Sequence, residues 1–416
     1  MIRNLTIILS FMFLVGCGGG SFDAPATVVG VAAGSYHSLA LKSDGTVWAW
    51  GSDDFGQLGT NVQWIPFAIQ PTPLQVRGIN GEGFLGNVSA LAGGYYHSLA
   101  LRRDGTVLAW GRNGDGRIGD NTAEDNMQDF RVVPVQVKGP GGVGILDRVT
   151  AIAAGWNHSL AVKDDGTVWA WGSNFWGQLG DNTYSNRLAP AQVSGPGGSG
   201  TLSDVVAIAA GPFHTLALNN DGTVWAWGSG QVGELGDNTA TSSAYPVQVS
   251  GPDGIGCLDN VVAIASGMLS SLALKSDGTV WEWGSSTLGM YYAPMQVVGP
   301  GGVGVLDHIV AISARDEHSM ALRDDGTVFA WGRGDNGQLG NPTVPYEARV
   351  PVPVLGPGGI GVLERILAIA SGGTRSLALR NDGSVWGWGY GAFGEIGDGS
   401  ISEVRDTPVQ VLFPAP

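Results

Sequence analysis

The sequence predicts an all-β protein, a seven-bladed β-propeller with four antiparallel strands in each blade. Three observations predict it. The string Asp-Gly-Thr-Val-Trp-Ala-Trp-Gly at Asp44–Gly51 recurs with small variation from Asp104, Asp165, Asp221, Asp277, Asp325 and Asp382, at spacings of 60, 61, 56, 56, 48 and 57 residues. Repetition at such a period marks a ring or solenoid of stacked units. Glycine is heavily used (69 residues), yet 15 tryptophans stand beside it, so the chain has aromatic mass to bury as well as turns to make. No helical periodicity of any length follows the N-terminal segment.

Residues 1–16 read as a signal peptide. Arg3 supplies a positive start and Leu5 to Val15 an apolar core. Eleven helical residues span only about 16 Å, roughly half the hydrocarbon core of a bilayer. The segment ends Leu14-Val15-Gly16-Cys17, which resembles a bacterial lipobox. That resemblance implies cleavage before Cys17 and lipidation of its thiol. Residues 17–27 then form the lipidated Cys and a flexible tether, beginning Gly18-Gly19-Gly20-Ser21. The propeller is assigned to 28–416. Cys257, the other cysteine, is expected to be a small packed residue.

Each repeat is read as four short strands. A Val-Ala-Ala-Gly-x-x-His-Ser-Leu-Ala-Leu segment precedes the Asp-Gly turn. Gly-Gln-Leu-Gly or a variant follows, then a variable loop, then a Pro-Val-Gln-Val-like strand at Pro73, Pro134, Pro190, Pro246, Pro294, Pro353 and Pro408. Asp44-Gly45 between extended runs signals a two-residue type I′ hairpin. That register sets Leu39 opposite Trp50 and Leu41 opposite Trp48, giving a bulky face and a flat one. Stacked radially, bulky fills flat. Trp50, Trp110, Trp171, Trp227, Trp283, Trp331 and Trp388 are therefore expected to be structural, packed between blades. Thr407–Leu412 is a candidate to pair with Val28–Trp50 and lock the circle.

These residues carry a family resemblance. His-Ser-Leu-Ala-Leu, Asp-Gly-x-Val-Trp-x-Trp-Gly and Gly-Gln-Leu-Gly together resemble the regulator of chromosome condensation repeat, from residue 28 to about 412. The resemblance implies the seven-bladed ring reached above.

The chemical candidates are few. His37, His97, His158, His214 and His318 share one repeat position, where the other copies carry Ser270 and Arg375. One His per blade is too dispersed for a shared metal, so a buried His bonded to backbone is expected. Gly114-x-Gly116-x-x-Gly119 opens no helix and lacks the dinucleotide mechanism. The Asp-Asn pairs at Asp120, Asp181 and Asp237 read as Asx turns rather than calcium loops. No catalytic motif is present, no cofactor or metal is expected, and the reading is binding rather than catalysis. A formal net charge of −15, spread along the chain, argues against a nucleic-acid partner.

Strand parity sorts the loops onto two rims. The Asp-Gly turns and Gly-Pro-Gly-Gly loops share one, where Phe84 is the main aromatic. The Gly-x-x-His corners and variable loops share the other, rich in aromatics. Loops on a rigid scaffold carry binding, and Tyr and Trp anchor interfaces. Tyr36, Phe55, Trp64, Tyr95, Tyr96, Trp156, Trp176 and Phe213 are the expected partner-binding residues. The favoured reading is a monomeric, lipid-anchored protein-binding scaffold of the cell envelope, at the outer membrane or surface of a Gram-negative cell, whose only membrane contact is its anchor. Three alternatives remain open. The resemblance extends to a secreted β-lactamase inhibitor; a glycan-binding lectin or an enzyme would use the central pocket. Guanine-nucleotide exchange, as in the family's name-giver, is the weakest, because a lipid anchor separates the chain from cytosolic GTPases.

Overall fold

In a computed structural model, the described residues are 26–62, 68–123, 128–287, 289–344, 346–401 and 404–415. They form seven four-stranded antiparallel sheets, each built from consecutive strands. The first blade comprises β1 (Val28–Ala33), β2 (His37–Lys42), β3 (Val47–Ser52) and β4 (Ile69–Gln75). Its counterparts to β1 are Val88–Gly93, Val149–Ala154, Val205–Ala210, Val261–Ser266, Ile309–Arg315 and Ile366–Ser371. These strands pack around the axis. Their run of alanine and glycine suits that narrow end, where the blades converge.

The hairpin register differs from the expected one. Lys42, not Ser43, pairs with Thr46: its N–H donates to the Thr46 carbonyl at 3.0 Å, and Gly45 N–H donates back to the Lys42 carbonyl at 2.9 Å. The Asp44 carboxylate accepts from the Thr46 N–H at 2.9 Å and its hydroxyl at 2.7 Å. That side-chain closure makes a three-residue turn with Gly45 at φ +84°. Every pairing slides by one, so Leu39 faces Ala49, Ser38 faces Trp50 and Ala40 faces Trp48.

Large-to-small packing survives the slip, between blades. Leu39, Leu41, Val47 and Ala49 of the first blade meet Ala100, Leu108 and Trp110 of the second in one cluster. All seven tryptophans named above are buried. Trp110 Nε1 also donates to the Gln57 carbonyl at 2.8 Å, in the Gly-Gln-Leu-Gly turn of the blade before. Trp50, Trp171, Trp227, Trp283 and Trp388 do the same to the carbonyls of Glu395, Arg117, Gln178, Glu234 and Gln338. A Ser or Thr hydroxyl donates to each of these carbonyls as well, as Ser98 does to Gln57 at 2.9 Å.

The histidines join this network instead of bonding to backbone. His37 Nε2 meets Ser98 Oγ of the next blade at 2.8 Å, and His97, His158, His214 and His318 repeat the contact. Since each hydroxyl spends its proton on the turn carbonyl, the ring N–H donates to it. Burial holds the rings neutral; His158 is pushed down to about 3. Gly34 allows the arrangement, because a Cβ there would lie 2.2 Å from the His37 ring.

The ring closes without strand exchange. Val404–Gln410, the outermost strand of the last blade, pairs with Val385–Tyr390 of its own sheet, so Thr407–Gln410 does not join β1 or β3. Packing does the work: Val28, Ala40 and Trp50 meet Ala368, Leu377, Leu379 and Val385. Arg375 stands where five sister repeats have His. Its Nε donates to Ser38 Oγ at 3.0 Å, and its other nitrogens donate to the carbonyls of Ser35, Gly34 and His37.

Three smaller readings change. Pro351, not Pro353, is the outer-strand proline of the sixth blade; Phe329 sits opposite Pro353, where sister strands have Gln. Cys257 is exposed, because the Ser250–Cys257 bridge turns it outward while Leu258 is buried. Among the described residues, the fifth repeat has no counterpart of the Gly-Gln-Leu-Gly turn; Ser286 pairs with Gly289.

Candidate functional site: an aromatic arc on one rim

The Gly-x-x-His corners connect the first and second strands of each blade beside the axis, and the turns after the third strand lie outside them on the same rim. Seven of the eight expected rim residues lie among those described; Trp64 is outside them. The structure joins all seven into one arc. Tyr36 stacks on Tyr96 with centroids 5.3 Å apart and planes at 12°. Tyr95 meets Tyr36 edge-on at 5.2 Å, and their hydroxyls lie 3.2 Å apart. Phe55 packs on Tyr96 at 4.8 Å, and Trp156 on Tyr95 at 4.8 Å. Phe213 continues from Trp156 at 5.4 Å, and Trp176 from Phe213 at 6.0 Å. Phe393 extends the arc at one end, 5.5 Å from Tyr36, and Phe175 at the other, 5.5 Å from Trp176.

Most of these rings are half-buried against one another, whereas Phe175 is 74% exposed. The inner part of the arc is therefore a preformed platform, and its Phe175 end projects. Charge enters in three places. Arg112 lies over the Phe55 ring at 4.9 Å. Trp156 Nε1 donates to Asp316 Oδ1 at 3.1 Å, and Arg315 Nη1 donates to the Gly93 carbonyl at 2.7 Å. Those last two bonds reach from the sixth blade to the third and second, bridging the axis. Burial beside Tyr95 pushes the Tyr96 hydroxyl up to about 12. The platform presents the neutral Tyr36 and Tyr96 hydroxyls and π-faces at neutral pH. Among the described residues, no three His, Cys, Asp or Glu side chains come together as a metal site.

Sequence reasoning missed Arg315 and Asp316. They replace the Gly-x of the corner in the sixth repeat, and that departure was the available signal. It also missed the apolar character of the opposite rim. Val143, Ile255, Val303 and Ile360 are 78–82% exposed in the Gly-Pro-Gly-Gly loops, and Phe84 is 54% exposed. The two rims differ in kind, aromatic against aliphatic.

Fold and site together define a seven-bladed propeller whose second-strand corners build an aromatic platform at one end of the axis. The chain belongs to the RCC1-like family: its sequence matches the RCC1-like domain over residues 18–294, and RCC1 repeats over 325–379, 309–338 and 366–395. It is 31% identical to the ultraviolet-B receptor UVR8 of Arabidopsis thaliana over 60% of this chain and 52% of that protein. It is 28% identical to the mitochondrial RCC1 domain-containing protein RUG3 of the same plant, over 94% of this chain and 72% of that one. The chain spans about half the length of UVR8 and 5% of the human E3 ubiquitin-protein ligase HERC2, to which it is also similar. Among solved structures, human WBSCR16 superposes with a TM-score of 0.72 at 24% identity, covering 89% of this chain and 95% of that one. Yeast RCC1 (Prp20) superposes at 0.69 and 21%, covering 94% and 84%.

Proposed function

We propose that this chain is an envelope-anchored protein-binding scaffold that engages its partner through the aromatic arc. The continuity of the arc carries the reading: nine rings in contact, from Phe393 through Tyr36, Tyr95, Trp156 and Phe213 to Phe175, form a rigid apolar surface with polar edges. Rigid aromatic anchors of this kind dominate protein interfaces. Solved relatives include yeast RCC1 bound to Kap60, and a Prp20p structure reported with its binding to Gsp1p and histones. An inhibitor of a secreted enzyme is one form such a scaffold takes.

The position of Thr27 supports the anchored orientation. Its carbonyl accepts from the Ser43 N–H at 2.8 Å, on the rim of the Asp-Gly turns. Cys17, which lies outside the described residues, is ten residues before it. A lipid there would tether the aliphatic rim and leave the aromatic rim facing away from the membrane. Fatty-acid labelling in cells is expected to mark the wild type and not Cys17→Ser; equal labelling removes the anchor from the reading.

The partner is sought by capture from envelope fractions on the full chain. Phe175→Ala and Trp176→Ala are expected to weaken capture roughly thirtyfold each, the loss of about 2 kcal/mol typical of an anchor. Tyr96→Ala should weaken it too, with some fall in melting temperature, because Tyr96 packs on three other rings. Val143→Asp, on the opposite rim, should change neither. Capture that depends on Val143 and ignores Phe175 and Trp176 would place the interface on the other face.

A further inference from the structure

Six of the seven blade interfaces are completed by a turn of the Gly-Gln-Leu-Gly type, whose Leu or Ile is buried: Leu58, Ile118, Leu179, Leu235, Leu339 and Ile396. Among the described residues, the interface between the fifth and sixth blades has none. There the strands Val280–Ser286 and Gly289–Gln296 join directly, and a cavity of about 520 Å³ stands in place of the turn. Ser270, Glu282, Ser319 and Trp331 line its depth, and Arg333 and Tyr346 its mouth.

Two substitutions re-equip the site. Glu282 takes the place of the alanine in Trp-x-Trp, and its Oε2 accepts from Trp331 Nε1 at 3.0 Å, doing what the missing turn carbonyl does elsewhere. Ser270 takes the place of the histidine. Ser319 is the counterpart of Ser98 and its sisters, so it has lost both the ring N–H and the carbonyl that satisfy them. Ser319 is 4% exposed, and its side chain, which faces the cavity, has no hydrogen-bond partner among the described residues. Its hydroxyl takes its bonds from whatever occupies the cavity.

We propose that this cavity is a binding site for a guanidinium group, which enters the slot left by the missing histidine and bonds to Ser319 and Glu282. The molecule contains its own precedent. At the seam between the last and first blades, the Arg375 guanidinium fills the equivalent slot and donates to Ser38 Oγ, the residue equivalent to Ser319. In the fifth repeat Ser270 leaves that slot open, and Glu282 adds a carboxyl group that burial pushes up to about 7. Glu282 accepts from Trp331 and Ser286 and has no ion-pair partner among the described residues. The other charges at the cavity are engaged. Arg333 pairs with Glu317 and Asp335, Glu347 accepts from Arg349, and Asp316 accepts from Trp156. A planar fork of N–H donors matches a carboxylate flanked by hydroxyls, and an ammonium does so less well. The volume suits a small ligand or one long side chain.

The same chemistry has two sources, a free guanidinium compound or an arginine side chain of a bound protein. The site does not depend on the aromatic arc. Calorimetric titration of the purified full chain with agmatine, an acetylated Gly-Arg-Gly amide and its citrulline counterpart tests it. Saturable binding of the guanidinium probes is expected, with the citrulline peptide at least about tenfold weaker. Glu282→Gln keeps the acceptor for Trp331 and should weaken both probes by a similar factor. Ser270→His, which restores the sister residue, should fill the slot, weaken both probes as far, and leave the melting temperature no lower. Preference for the peptide assigns the site to a partner's arginine, and preference for agmatine to a free ligand. No saturable binding of either probe, or binding that survives both substitutions, overturns the proposal. Trp176→Ala should leave agmatine affinity unchanged, so failure of the arc and failure of this site read out separately.

Discussion

Arg375→Ala is expected to destabilise the ring by about 3–5 kcal/mol, the cost of removing one member of a buried charged network. The seam between the last and first blades has no continuous chain across it, and β1 gains no strand from the C-terminal end. Arg375 is fully buried there and donates to one hydroxyl and three carbonyls of the first blade. Burial pushes its guanidinium down to about 10, and Glu395 beside it resists that shift. Alanine would leave the carbonyls of Ser35 and Gly34 short of a donor and remove a positive charge that favours ionised Glu395. Arg375→His is the informative control. It reproduces the residue of five sister interfaces, whose ring reaches the facing hydroxyl, so it should recover much of the loss. Thermal and urea unfolding measure both variants. An alanine variant that melts like wild type would show that apolar packing alone holds the seam.

Trp227→Ala should cost a similar amount, about 3–5 kcal/mol, the range for truncating a buried aromatic side chain. Trp227 is fully buried on the fourth blade against Leu160, Ala170, Leu179 and Val193 of the third. Its Nε1 donates to the Gln178 carbonyl at 2.9 Å. The carbonyl keeps a second donor in Thr215, so the loss is mainly volume and contact. Trp225, two residues earlier and on the same face, is only half-buried, and Trp225→Ala should cost clearly less. Equal melting of wild type and Trp227→Ala would place the indole in solvent, where it could stack on a sugar instead of on a blade.

The architecture was legible because one string recurs seven times, and the rim assignment because strand parity follows from counting. Register was not legible. Asp-Gly suggests a two-residue turn, and only the bond from Thr46 to the Asp44 carboxylate reveals the third residue and the one-place slide. The seam was misread for a related reason: Arg375 looks like tolerated variation at a histidine position until its four acceptors are seen. The aromatic arc was legible as a set of residues on one rim but not as a chain of touching rings. The cavity had a signal, the 48-residue spacing together with Glu282 inside Trp-x-Trp. Its meaning depends on a neighbouring blade that the sequence does not place.

A ring whose blades are each made of consecutive strands has a particular order of assembly. Each sheet draws on one short stretch of chain, as β1 to β4 draw on residues 28–75, so its pairing can be complete before later repeats leave the ribosome. Bonds to the adjacent blade add separations of only 37 to 62 residues. Contacts of low sequence separation form early and fast. The seam is different in kind, since its bonds join residues 328 to 357 apart. Growth along the chain is thus a series of cheap local steps, followed by a single costly closure across the seam. Variants at the seam are therefore expected to accelerate unfolding far more than they slow formation of individual blades, and the arc, whose Phe393–Tyr36 contact spans that seam, is completed last.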